Sequence, residues 1–224
     1  YDLGDADKQT SFLVVTRFDR ARGARFHVED FAQMLNVQPE DKYSKSYLEV
    51  AAVMLAIPSL GEGAVHELLR RMTVNELLGN PDMHLKNMGV IYRDGETPTL
   101  SPAYDIVGYS AYHRRNGHAL FILPPLSRDK PKARAQQANE AKTAKASLTP
   151  ATLREFCGLL DLLEKPAAKV IQRVVQAAAK QWPALIAQSA LTEKQKTNLL
   201  ANFEEHSLVV PVRKREARHA ESAT

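Results

Sequence analysis

The sequence predicts an α+β fold, mostly helical, with a small β-hairpin at its functional centre. Three observations predict it. Amphipathic segments at helical spacing recur on both sides of residue 100, and the whole second half carries them. One strong hairpin turn, Asp94-Gly95, lies between two strand-like runs. Hydrophobic residues make up 44% and charged residues 25%, an ordinary globular composition, and 224 residues suffice for one large domain or two small ones.

The elements follow in order. SFLVVTRFDR (11–20) opens with a short β-branched run and reads as a strand that turns into ARGAR. In RFHVEDFAQMLNV, Glu29 or Asp30 can sit in the first turn of a helix carrying Phe31, Met34 and Leu35. KYSKSYLEVAAVMLAI reads as a second helix, stopped by Pro58. GEGAVHELLRRMTVNELLGN is a third, with Val65, Leu68, Leu69, Met72, Leu77 and Leu78 at near-helical spacing and Gly79-Asn80-Pro81 ending it. Val90, Ile91 and Tyr92 are strand-like, TPTLSPAYDIV is the return strand after Asp94-Gly95, and HALFIL (118–123) is a further short strand. The stretch 128–145 lacks apolar periodicity and reads as a flexible basic loop. Residues 146–208 are helical: Thr149 caps LTPATLREFCGLLDLL with Pro150 at its first position. KPAAKVIQRVVQAAAKQWPALIAQ has Pro166 near its start and Pro183 kinking or breaking it, and Thr192 caps TEKQKTNLLANFEEHSL. Residues 209–224 form a basic tail, and no internal repeat is visible.

The totals exclude several classes. No apolar run approaches the roughly 20 residues needed to cross a bilayer, and no signal peptide is visible. A single cysteine, Cys157, rules out an internal disulfide and fits a reducing cytoplasm. It lies in an amphipathic pattern, as a small core residue rather than a nucleophile. The net charge is +4, and residues 128–145 alone carry six basic and two acidic residues. That stretch and RKREARH (213–219) read as a solvated linker and a frayed tail, while an indirect or weak DNA contact stays open.

GNPDMHLKN (79–87) puts Asp82, His84, Lys86 and Asn87 into one turn. Turn formers explain Gly-Asn-Pro only. Phosphoryl transfer needs a carboxylate to orient an acceptor hydroxyl and oxygen ligands for Mg²⁺. Protein kinases supply the base five residues before a metal-binding Asn, with a second metal-binding Asp beyond a hairpin. Here Asp82 and Asn87 are five apart, and Asp105 stands 18 residues after Asn87 across the hairpin. Each residue taken singly also fits a turn or a cap. The agreement of all three in order favours the kinase pattern. No second His or Cys stands near His84 at zinc spacing.

GNPDMHLKN followed by LSPAYDIV resembles the signature of the HipA-type serine/threonine kinases, the toxins of bacterial toxin–antitoxin pairs. VVTRFDR and RFHVEDFAQMLNVQPEDKY resemble the stretch before it, so the resemblance covers nearly the whole chain. It implies the C-terminal lobe of a protein-kinase-like fold, with ATP and Mg²⁺. By this resemblance Asp82 matches the catalytic base, and Asn87 and Asp105 match the metal ligands. His84 and Tyr104 match nucleotide contacts, Thr16, Arg17 and Phe18 the hinge that borders adenine, and Lys86 a phosphate holder. Asp105 also faces the nucleotide, through its metal. Asp19, Glu29 and Asp30 are expected as ion-paired scaffold around the hinge. The departure is an N-terminal lobe: no Gly-rich phosphate loop or ATP-gripping lysine precedes residue 11.

The resemblance implies a cytoplasmic protein substrate, a translation factor or tRNA synthetase by family precedent. It also implies a DNA-binding antitoxin of the HipB type as partner, and no membrane. Two other readings stand beside it. One is an inactive or split lobe that serves as a binding module for an antitoxin or a separate N-lobe. The other is a small-molecule kinase with a similar catalytic loop.

Overall fold

The computed structural model describes residues 14–113, 117–124 and 147–221. The basic stretch 128–145 and residues 1–13 lie outside these. A two-stranded antiparallel hairpin, β1 (Arg20–Ala21) and β2 (Ala24–Arg25), leads into a three-stranded antiparallel sheet of order β3-β4-β5. Its strands are β3 (His27–Asp30), β4 (Gly89–Tyr92) and β5 (Pro98–Leu100). The helices are α1 (Phe31–Met34), α2 (Tyr47–Ala56), α3 (Gly61–Leu77), α4 (Pro150–Leu159), α5 (Glu164–Gln188), α6 (Glu193–Glu204) and α7 (Val210–Glu221). The α+β class expected from the sequence is the class observed.

Helix α3 is the axis. It packs against α2 on one side and α5 on the other. Val65, Leu68, Leu69, Met72 and Leu77 are fully buried. Tyr47, Val50 and Met54 of α2 join the same core, as do Phe156 and Cys157 of α4 and Ile171 and Val175 of α5. Burial pushes the Cys157 thiol up, which suits a core residue and not a nucleophile.

Helix starts follow the local chemistry. Asp30, Ser46 and Thr192 each close a capping box, with Gln33, Glu49 and Gln195 as the reciprocal partners. Thr149 caps α4 ahead of Pro150. Helix α3 ends in a Schellman motif. The N–H of Gly79, at φ 64°, donates to the Glu76 carbonyl at 3.0 Å, and the N–H of Asn80 donates to Asn75 at 2.8 Å.

Several expectations need correction. VVTRF is not a strand: Val14 and Val15 are exposed and no neighbouring strand pairs them among the described residues, so β-propensity alone does not order them. Asp30, expected with Glu29 as a helix-start candidate, caps α1, but that helix is a single turn, and His27–Asp30 ahead of it is a strand that pairs with β4. Strand pairing there outcompetes a short, costly helix nucleus. The return strand stops at Leu100, and residues 101–108 run without regular structure. HALFIL makes only a parallel bridge from Phe121 to Ser46. Its Phe121 and Ile122 carbonyls accept the Tyr47 and Leu48 N–H groups at 2.9 and 3.1 Å, so the segment satisfies the start of α2 instead of joining a sheet. Pro183 does not end α5, which continues to Gln188 because Ile186 is buried beyond it against Ala111 and Leu199. The basic tail is helical from Val210 to Glu221.

Candidate active site

Residues 80–88 leave the end of α3 and reach β4 as a tightly bonded loop. The Asn80 side chain accepts from the Asp82 N–H at 3.2 Å and donates to the Asn75 side chain at 2.6 Å; both asparagines are buried. The fully buried Tyr47 donates its hydroxyl to the Met83 carbonyl at 2.7 Å. Backbone bonds from His84 to Asp82 (2.8 Å) and from Asn87 to His84 (2.9 Å) wind the loop into a 3₁₀ turn at Leu85–Asn87. The loop is rigid at both ends while the Asp82 side chain stays 55% exposed, as a group that meets an incoming molecule must.

The Asn87 amide nitrogen donates to the Asp82 carbonyl at 2.7 Å. That bond fixes the amide's orientation and leaves Oδ1 as the atom available to a cation. His84 is buried, with Nε2 3.9 Å from Asp82 Oδ1 and no hydrogen-bond partner on Nδ1. Burial, and then the Lys42 charge, pull its pKa down, while the Asp82 and Asp105 charges pull it up.

Asp105 is exposed and adopts φ 56°, a left-handed conformation that only a few non-glycine residues tolerate, Asp among them. The segment that delivers it is held at its start: Arg71, buried in α3, donates to the Ser101 carbonyl at 2.6 Å, and the Ser101 N–H donates to Gly89 at 2.9 Å. Tyr104 donates its hydroxyl to the Lys86 carbonyl at 2.9 Å, tying this segment to the catalytic loop. Burial, and then the Asp30 charge, push the Tyr104 phenol up to about 12, so it is a donor at neutral pH.

The expected hinge residues gather with Tyr104. Thr16, Arg17, Phe18 and Tyr104 line one open groove of about 760 Å³, and the Phe18 and Tyr104 rings lie 5.6 Å apart. An aromatic-lined groove of this size fits a planar base. Arg17 grips Asp19 through two bonds of 2.8 and 2.7 Å, which hold the Asp19 carboxyl at about 2. Glu29 accepts from the Tyr92 hydroxyl, and Asp30 takes the Lys86 ammonium at 2.7 Å. Lys86 therefore stands in an ion pair, with two of its three donors left over. Asn87 and Asp105 are hard oxygen donors, and among the described residues no three His, Cys, Asp or Glu side chains form a metal cage. That donor set suits Mg²⁺, which is commonly held by one or two carboxylates together with phosphates.

Sequence reasoning missed Tyr43. Its hydroxyl donates to Asp82 Oδ1 at 2.5 Å, and the Asp82 carboxylate pushes the Tyr43 phenol up to about 12. It also missed Arg71 as the group that holds Ser101, and it expected Asp30 to be ion-paired without naming Lys86 as the partner. A tyrosine 39 positions before its partner carries no local signal, since only the tertiary fold joins them.

The chain has relatives among known proteins. The family model of the HipA-like C-terminal domain matches residues 2–182. A Sinorhizobium fredii protein named "Putative kinase Y4dM" is 43% identical over 100 residues, 45% of this chain and 24% of that protein. A Haemophilus influenzae protein named "Putative kinase" is 32% identical over 136 residues, 56% of this chain and 39% of that one. These matches span well under half the length of each relative. A chain in the solved complex of the Shewanella oneidensis toxin–antitoxin proteins HipA and HipB with operator DNA superposes with a TM-score of 0.62. The two are 22% identical, and the match covers 88% of this chain and 49% of that one, which makes it a likeness of fold.

Proposed function

The chain belongs to the HipA-like C-terminal domain family, and from that premise we propose that it carries the catalytic loop of an ATP- and Mg²⁺-dependent serine/threonine protein kinase. The observation that carries this reading is the pairing of Asp82 and Asn87. One amide bond of 2.7 Å fixes the metal-binding oxygen of Asn87 relative to the base.

Asp82 accepts the proton of the acceptor hydroxyl as that oxygen bonds the γ-phosphorus of ATP, the bond from that phosphorus to the β–γ bridging oxygen breaks, and ADP leaves. Asn87 Oδ1 and the Asp105 carboxylate would hold Mg²⁺, which would neutralise phosphate charge when bound. Thr16, Arg17, Phe18 and Tyr104 border the adenine. Lys86 reaches phosphate only with the donors that Asp30 leaves. The named HipA–HipB–DNA neighbour supports a DNA-binding antitoxin of the HipB type as partner, and the acceptor in this reading is a bacterial cytoplasmic protein.

The test is transfer of γ-labelled phosphate from ATP with Mg²⁺ by the full-length gene product, with a bacterial lysate as acceptor pool. Asp82→Asn is expected to lower transfer by roughly 10³-fold or more with an unchanged melting temperature, in the range set by losing a general base and its positioning. Full activity in Asp82→Asn would overturn the role of that residue. No transfer by the wild-type protein would favour a binding module.

A further inference from the structure

Asp82 has two carboxylate oxygens, and the structure treats them differently. Tyr43 Oη lies 2.5 Å from Oδ1, and His84 Nε2 approaches the same oxygen at 3.9 Å. Oδ2 has no protein donor among the described residues.

The Tyr43 ring is itself held. It packs edge-on against the His84 imidazole, with centroids 5.1 Å apart, and the Lys42 ammonium stands 5.0 Å over its face. The backbone beside it is fixed too: the Leu85 N–H in the catalytic loop donates to the Lys42 carbonyl at 3.3 Å. Four residues on, Tyr47 bonds the Met83 carbonyl. Two tyrosines from one segment thus grip the catalytic loop on either side of the Asp82 side chain, one through the backbone and one through the carboxylate.

An exposed aspartate without such a partner samples several rotamers, and each wrong one takes the base out of reach of its proton. We propose that Tyr43 is the positioning residue of Asp82: its hydroxyl holds Oδ1 and leaves Oδ2 turned outward as the oxygen that receives the acceptor's proton. The Tyr43 hydroxyl is bonded to Asp82. It acts through Asp82, so its effect falls on the rate of the bound complex and not on binding. The inference rests on the reading of Asp82 as the base.

Tyr43→Phe separates the hydroxyl from the ring, because the Phe ring keeps the packing against His84 and Lys42. Initial rates of γ-phosphate transfer to lysate protein are measured against ATP concentration with the full-length gene product. The expected result is a kcat lowered by roughly 10- to 100-fold, the scale of a misplaced catalytic group. The KM for ATP should stay within about twofold and the melting temperature within about 2 °C, since only uniform binding or fold losses would move those. A merely structural role would move the melting temperature and leave kcat per folded molecule alone, which would overturn the proposal. An unchanged kcat would overturn it as well, and a raised kcat would mark the hydroxyl as an obstacle to the acceptor. If the wild-type protein transfers nothing, the kinase reading fails first and the role of Tyr43 fails with it; wild-type transfer with an unaffected Tyr43→Phe variant sinks only the latter.

Discussion

Gly89 stands directly after the catalytic loop, opposite Asp30 in the β3–β4 ladder. A Cβ there would sit 2.5 Å from the Glu29 carbonyl oxygen and 3.2 Å from the Asp30 Cα. Both are backbone atoms, so a side chain fits only if β3 moves away. Gly89→Ala is therefore expected to destabilise by roughly 1–3 kcal/mol, the cost of overpacking, measured by denaturant unfolding. The displaced β3 carries Asp30, the partner of Lys86, so transfer should fall along with stability. Asp105 presents the reverse case: a candidate metal ligand sits in a left-handed backbone conformation, at φ 56°.

Helix α3 delivers the catalytic loop, and its C-terminus sets where the loop begins. The Schellman motif of Gly79 and Asn80 reverses the chain so that Asn80 can turn back onto Asn75 and brace Asp82. Gly79→Ala introduces a Cβ at φ 64° and should cost about 1 kcal/mol. A thermal melt would show that modest loss. The rate of transfer should fall further than stability does, because the loop geometry depends on the reversal. Equal, small changes in both would mean that the loop holds its shape without the cap. Farther along, α5 shows a helix that packing carries past a proline: burial of Ile186 outweighs the backbone bond that Pro183 cannot make.

At the scale of the molecule, one buried carboxylate ties distant segments together. Glu76 of α3 accepts from His118 Nε2 at 2.9 Å and from the Leu148 N–H at 3.0 Å. It also accepts from Ser147, and His206 Nε2 stands 3.3 Å away after α6. Burial raises the Glu76 pKa, but the hydrogen bonds from His118, His206 and Ser147 outweigh it, and the net position is below the ordinary carboxylate range. A lowered folded-state pKa stabilises the fold above the unfolded value, near 4.5. That stability is lost as pH falls below it. The melting temperature of the wild-type protein should thus drop steeply on acidification below about pH 4.5, and that of Glu76→Gln should drop less. Glu76→Gln should also cost roughly 3 kcal/mol at neutral pH, the scale of breaking a buried pair. Parallel pH profiles for the two proteins would refute this account. Helix α6 adds a second tie: Asn202 and Asn198 donate to the carbonyls of Leu77 and Ala111 at 3.4 and 3.1 Å, bracing the end of α3 and the chain beyond Asp105.

The sequence by itself determined the helices with strong periodicity and caps: α3, α4 and α6 lie where Gly79, Thr149 and Thr192 stop or start them, and α2 ends ahead of Pro58. It determined the β4–β5 hairpin through Asp94-Gly95, and it placed the candidate base and metal ligands through the spacing of Asp82, Asn87 and Asp105. These signals are local, carried by residues within a few positions of one another or by one short hairpin. The tertiary structure alone decided what depends on distant partners. His27–Asp30 became a strand because β4 was there to pair with it, and HALFIL became a cap because α2 lay beside it. Val14 and Val15 stayed irregular for want of a neighbour. Tyr43 met Asp82, Asp30 met Lys86 and Arg71 met Ser101 only through folding, since contacts across tens of residues leave no spacing to read.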